Sequence, residues 1–146
     1  MIELSKNKHM VIGSRYVPGG GQENCTWDRI ILSRGANGVA KTLLGLQAMD
    51  TTAGFRLYRR QVLETIPLDE IVSSGYSFLV EMIFLVQRYG FQIGEVPITF
   101  EDRRAGTTKI SRNEIFKGMA TIGRLFLRRV SGNTPKRAMV SVTNDQ

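Results

Sequence analysis

Residues Ser74–Phe91 read SGYSFLVEMIFLVQRYGF, and FQIGEVPITF follows from Phe91 to Phe100. The join between these two stretches decides the fold class. The first predicts a helix. Phe78, Met82, Leu85 and Tyr89 recur at helical spacing, Ser73 and Ser74 offer N-cap oxygens, and Gly90 stands where a left-handed C-terminal residue belongs. The helix is apolar nearly all round, so it is expected to be buried or to face lipid. Glu81 interrupts that surface, and a carboxylate there is costly unless paired; it is expected to meet an arginine of the first helix or to face a membrane-proximal cleft, with the structural pairing favoured. The second stretch alternates as a strand does, and Pro97 argues for an edge or a bend.

Working outward, MVIGSRY (Met10–Tyr16) predicts a short strand running into a loop, and VPGGGQEN (Val17–Asn24) a glycine-rich turn. From Trp27 to about Leu46, Ile30, Ile31, Val39, Leu43 and Leu44 keep helical spacing, with a break expected near Gly35. AMDTTAGF (Ala48–Phe55) is a polar break, FRLYRR a short strand, and RQVLETI a short helix stopped by Pro67. Past Phe100 the chain enters a loop, EDRRAGTTK. Arg112 to about Val130 then predicts an amphipathic helix. It has Ile115, Met119, Ile122 and Phe126 on one face and Lys117, Arg124, Arg128 and Arg129 elsewhere. Residues 1–130 are expected to form one domain and 131–146 a disordered basic tail. Strand and helix alternate, the α/β pattern, yet few strands are evident for a sheet of ordinary size, so part of the fold is expected to lie outside this chain.

Composition narrows the chemistry. The 146 residues are 42% hydrophobic, enough for a packed core. Cys25 and His9 are the only residues of their kinds, which rules against an internal disulfide and a thiolate or imidazole zinc site. No signal peptide and no run of roughly 18 apolar residues is present, so any membrane contact is expected to be peripheral. The formal charge of +7 is uneven. Met1–Glu101 holds ten Lys or Arg against ten Asp or Glu, and Asp102–Gln146 ten against three. A basic third suits an anionic membrane, a phosphorylated ligand or nucleic acid. Nucleic acid is disfavoured, because the basic third lacks interleaved aromatics and no recognised motif occurs.

The candidate functional residues are cationic and hydroxyl groups at segment ends: Arg15 after the first strand, Arg29 and Ser33 on the first helix, and Arg103, Thr108 and Lys109 in the loop. Each alone is more often a solvated surface residue. Together they predict an oxyanion site, with phosphate the expected ligand, since arginine gives forked donors and lysine a mobile point charge. Asp50 sits in the polar break, where a turn-forming carboxylate is the commoner use.

The segments GSRYVPGGG, WDRIILSRGAN, DTTAGFRLYRRQVLE, GYSFLVEM, GFQIGEVPITFEDRRAGTTK and IFKG, in that order, resemble the C-terminal half of the dolichol-phosphate (polyprenol-phosphate) mannose synthase family. These are inverting GT-A glycosyltransferases of family 2. The resemblance runs from about Val11 to about Arg128. It implies the C-terminal part of a GT-A fold, a mixed sheet flanked by helices, with the N-terminal nucleotide-binding half missing. It implies transfer of mannose from GDP-mannose to a polyprenyl (dolichyl) phosphate at the cytoplasmic face of a membrane. The Mg²⁺ or Mn²⁺ of the complete enzyme would have its Asp-x-Asp ligands in the missing half, with none in this chain. Arg15, Arg29, Ser33, Arg103, Thr108 and Lys109 would bind the lipid phosphate or the donor diphosphate. Asp50 would be the carboxylate near the acceptor, a catalytic candidate. The chain alone is expected to be inactive and to need the missing half as partner. The alternatives are a sister transferase moving glucose or another sugar to the same lipid, and a non-catalytic membrane-surface subunit.

Overall fold

The computed structural model describes residues 1–24, 27–101 and 112–132. Its elements are α1 (Ile2–Ser5), β1 (Met10–Ser14), β2 (Gly21–Glu23), α2 (Trp27–Leu44), β3 (Arg56–Tyr58), α3 (Arg60–Thr65), a 3₁₀ turn (Leu68–Glu70), α4 (Tyr76–Arg88), β4 (Ile93–Pro97), β5 (Thr99–Glu101) and α5 (Arg112–Val130). The chain is α/β, with a mixed sheet flanked by helices, as the alternation of elements predicts. The loop 102–111 lies outside the described residues, as does residue 133 onward of the tail 131–146 expected to be disordered.

β1 is the middle of a three-stranded sheet, order β3-β1-β4. It runs antiparallel to β3, Met10 opposite Tyr58, and parallel to β4, Met10 opposite Ile93 and Ser14 opposite Pro97. All five residues of β1 are buried, which is why MVIGS shows no polar alternation: a strand covered on both faces needs apolar or small residues throughout. Gly13 is small of necessity, since a Cβ there would lie 2.8 Å from the Phe55 ring. Parallel partners demand a long crossover, and α2, α3 and α4 all fall between β1 and β4.

Of the two roles expected of Pro97, the structure shows the edge: it ends β4, an outer strand of the sheet. Ile98 N–H still donates to Ser14 O at 3.0 Å, while Ile98 O accepts from Gly21 N–H at 3.0 Å. β5 then pairs in parallel with β2 in a second, two-stranded sheet. β2 lies in the segment expected to be only a turn, and its partner supplies the hydrogen bonds that the local sequence does not announce.

α4 buries Val80 through Val86 without a gap, so it is a core helix. Gly90 adopts φ +82°, the left-handed terminator its position predicts. The N-terminus differs from expectation: Gly75 caps it with φ 59°, and neither serine contributes a side-chain cap. α2 continues through Gly35 without a break, because packing of Ala40 and Leu44 into the core outweighs the helix-weakening glycines. α5 packs against both α2 and α4, and of its predicted apolar face only Ile122 is fully buried.

Candidate functional site

The site is built on the polar break Ala48–Phe55. A segment without regular structure needs partners for its backbone groups. Asn37 on α2 accepts from Thr51 N–H at 2.8 Å and from the Thr51 hydroxyl at 2.6 Å, and donates to Met49 O. Glu95 on β4 accepts from the N–H groups of Met49 and Asp50 at 2.8 and 3.0 Å. Arg56 on β3 donates to Ala53 O, Leu79 O and Thr51 O at 2.6, 2.6 and 2.8 Å. Burial pulls the Arg56 pKa down from its ordinary value, with Tyr58 and Asp50 opposing. A loop of small polar residues is thus fixed from three sides.

That fixed loop presents Asp50, whose side chain is wholly buried, to Arg15 at the end of β1. Arg15 Nε and Nη2 donate to the two carboxylate oxygens at 2.7 and 2.8 Å, and Arg15 N–H adds a third bond at 3.1 Å. Nη2 also donates to Thr52 Oγ1 at 2.7 Å. Burial pushes the Asp50 carboxyl up, but the Arg15 side-chain and backbone bonds, the Arg15 charge and Thr52 N–H together hold it below the ordinary carboxylate value. The Arg15 guanidinium lies over the Tyr16 ring at 5.2 Å and near the Phe100 ring at 5.8 Å, so its position is set by charge and by aromatic faces.

Arg15 faces a cavity of about 160 Å³. The walls are Leu32 and Ala36 of α2, Val80 of α4, and Ile115, Met119 and Ile122 of α5. Arg15, Gln22, Ser33 and Thr52 also line it, and they are its polar groups together with Tyr76 and Ser77. Tyr16 Oη lies 2.9 Å from Ser33 Oγ, and Gln22 Nε2 donates to that same Oη at 3.1 Å. The cavity is therefore apolar for most of its lining, with a cluster of cation, hydroxyl and amide groups. Such a shape accommodates an amphiphile with an anionic head.

Of the residues predicted from sequence, Arg15 and Ser33 come together here, and Asp50 stands directly behind Arg15. Arg29 belongs to α2, but its side chain lies outside the described atoms, as do Arg103, Thr108 and Lys109 altogether. Sequence reasoning missed Tyr16, Gln22, Thr52 and Phe100. Tyr16 adjoins Arg15 and Thr52 lies two residues past Asp50; Gln22 and Phe100 carried no local signal, being brought in by the pairing of β2 with β5. Glu81 is paired, but its partner corrects the expectation: Arg124 of α5 donates to Glu81 Oε2 at 2.9 Å, not an arginine of the first helix. Ser73 N–H donates to the same oxygen at 3.3 Å.

A divalent cation does not fit the carboxylates described. Asp50 is committed to Arg15, Glu95 to two backbone amides and Glu81 to Arg124. Among the described residues no three His, Cys, Asp or Glu side chains converge.

The chain joins a mixed α/β fold to an arginine-headed apolar cavity. It is a homologue of polyprenyl-phosphate mannosyltransferases over most of its length, which bears out the resemblance of its sequence blocks. It is 43% identical over 119 residues to a polyprenol monophosphomannose synthase of Mycolicibacterium smegmatis, covering 82% of this chain and 45% of the relative. It is 40% identical over 124 residues to an undecaprenyl-phosphate mannosyltransferase of Micrococcus luteus, covering 85% and 51%. The chain spans about half the length of these curated relatives. No protein-family model matches it.

Proposed function

We propose that this chain is the acceptor-binding part of a GT-A polyprenyl-phosphate mannosyltransferase. The observation that carries the reading is the cavity itself, apolar along its walls and lined at Arg15 and Ser33 by groups suited to a phosphate. The lipid phosphate binds against Arg15 and Ser33, and its first isoprene units lie between α2, α4 and α5. Arg29, Arg103, Thr108 and Lys109 complete the charge around the acceptor phosphate and the donor diphosphate. GDP-mannose and Mg²⁺ or Mn²⁺ are held by a nucleotide-binding half outside this chain, and transfer proceeds with inversion.

The chemistry asks little of a general base. A phosphate monoester is already anionic at neutral pH, so positioning and charge neutralisation can supply most of the acceleration. Asp50 fits this scheme as the group that orients Arg15: its lowered pKa and full engagement make it a weak proton acceptor. The tail of the lipid exceeds the cavity and continues into a bilayer at the cytoplasmic face. In support, α5 exposes Phe116 (73%), Leu127 (68%) and Val130 (68%) beside its arginines. No described helix is long and apolar enough to cross a membrane.

The test is calorimetric titration of the chain with farnesyl phosphate in detergent micelles, against farnesol and inorganic phosphate. Saturable binding of farnesyl phosphate alone is expected; equal binding of farnesol, or none of any ligand, overturns the reading. Mixing with a separately expressed nucleotide-binding half from a relative is expected to restore mannose transfer. Failure of transfer with binding intact would favour the non-catalytic alternative.

A further inference from the structure

One side chain touches both phosphate-facing groups of the cavity. Tyr16 lies beneath the Arg15 guanidinium by its ring and 2.9 Å from Ser33 Oγ by its hydroxyl. Gln22 reaches that hydroxyl from β2, its Nε2 donating at 3.1 Å. Gln22 Nε2 can only donate to the phenol oxygen, and by geometry either hydroxyl can be the donor between Tyr16 and Ser33. The arrangement that leaves the single phenol hydrogen paired gives it to Ser33 Oγ, the one acceptor beside it among the described residues. Ser33 thereby accepts, and its own hydrogen is free; among the described residues Ser33 Oγ has no other partner. Because Ser33 lines the cavity with Arg15, that hydrogen is available to whatever occupies it.

We propose that Gln22 and Tyr16 form a donor relay that holds Ser33 as a hydrogen-bond donor aimed at the acceptor phosphate. The proposal rests on the acceptor-binding reading above. Gln22 and Tyr16 are positioning residues, acting through Ser33. A serine hydroxyl left to itself rotates among donor and acceptor roles; the relay removes that choice before the ligand arrives, so the bond to an acceptor-only oxyanion costs less ordering. The same tyrosine ring braces Arg15, so a single residue couples the cationic and the hydroxyl halves of the phosphate site. Its position next to Arg15 in sequence makes the coupling possible: the strand end delivers the guanidinium, and the next residue turns back to α2.

The experiment is a double-mutant cycle on the full 146-residue chain, with farnesyl phosphate in detergent micelles as probe. Tyr16→Phe keeps the ring under Arg15 and removes the hydroxyl. It is expected to weaken binding about fivefold, with Ser33→Ala giving a similar loss and the double variant no more than either alone. Gln22→Leu is expected to act in the same direction through the same hydroxyl. Tyr16→Leu, which also removes the ring, is expected to lose more. Wild-type affinity in Tyr16→Phe, or losses that add in the double variant, overturns the relay while leaving the acceptor reading intact. A merely structural role for Tyr16 would produce such additive losses. Absence of binding by the wild-type chain overturns both.

Discussion

Asp50→Asn is the most informative perturbation, because it removes a charge and almost no volume. In the wild type the carboxylate accepts three bonds from Arg15, at 2.7, 2.8 and 3.1 Å, from a position with no solvent exposure. Neutralising one member of a buried pair costs about 3–5 kcal/mol, mostly because the remaining charge is left uncompensated. The Arg15 side chain retains 13% exposure, and the asparagine oxygen can still accept one of its bonds, so the lower end applies. About 3 kcal/mol corresponds to a melting temperature lower by roughly 10 °C for a domain of this size. The acid side carries a second signature. The folded-state pKa of Asp50 lies below its ordinary value of 3.8, so its contribution is complete above that value and is lost as pH falls through the folded pKa. The variant should lack this acid-side loss. Melting followed by circular dichroism at several pH values measures both effects. A drop of less than about 3 °C together with an unchanged acid limb would refute the reasoning and make the pair a bystander. If Asp50 orients Arg15, farnesyl phosphate binding should also fall about tenfold or more at neutral pH.

Further substitutions probe the frame. Burial, with Arg59 and Lys8 nearby, pulls the His9 pKa below 6.5, while Nδ1 accepts from Gln92 N–H at 3.1 Å. Its contribution is complete above 6.5 and is lost as pH falls toward the folded value; His9→Gln should flatten that slope in melting experiments, and an unaltered slope assigns it elsewhere. Arg124→Ala strands the buried Glu81 carboxylate and should cost about 2–3 kcal/mol in urea denaturation, since Arg124 itself is partly exposed. Adding Glu81→Leu should recover much of the loss, and simple additivity would argue against the pair. Gly13→Ala drives a methyl to 2.8 Å from the Phe55 ring and should destabilise by about 1–3 kcal/mol, whereas wild-type stability would show that the ring moves freely.

The legible parts of the fold are those whose cause is local. α4, α5, β1, β3 and β4 follow from periodicity, and the ends at Gly90 and Pro97 follow from backbone restrictions that two residue types carry everywhere. The break expected at Gly35 did not occur, because glycine weakens a helix by less than the core packing of Ala40 and Leu44 returns. The serines before α4 do not cap it; Ser73 Oγ instead lies 3.2 Å from Thr121 Oγ1. β2 has no strand signature in a glycine-rich run and exists because β5 lies beside it.

Taken by itself, the sequence determined the α/β class, the buried helix that needed a partner for Glu81, and part of the polar set that lines the cavity. These depend on spacing and on side-chain chemistry, which a sequence states outright. Which residues meet was decided only by the tertiary structure. Arg15 reaches Asp50 across 35 positions, Gln22 reaches the cavity through a strand pairing, and Glu81 finds Arg124 rather than a neighbour on α2. The physical reason is that the packing of α5 against α2 and α4, and the crossover that brings β4 beside β1, fix these distances. No local pattern encodes them.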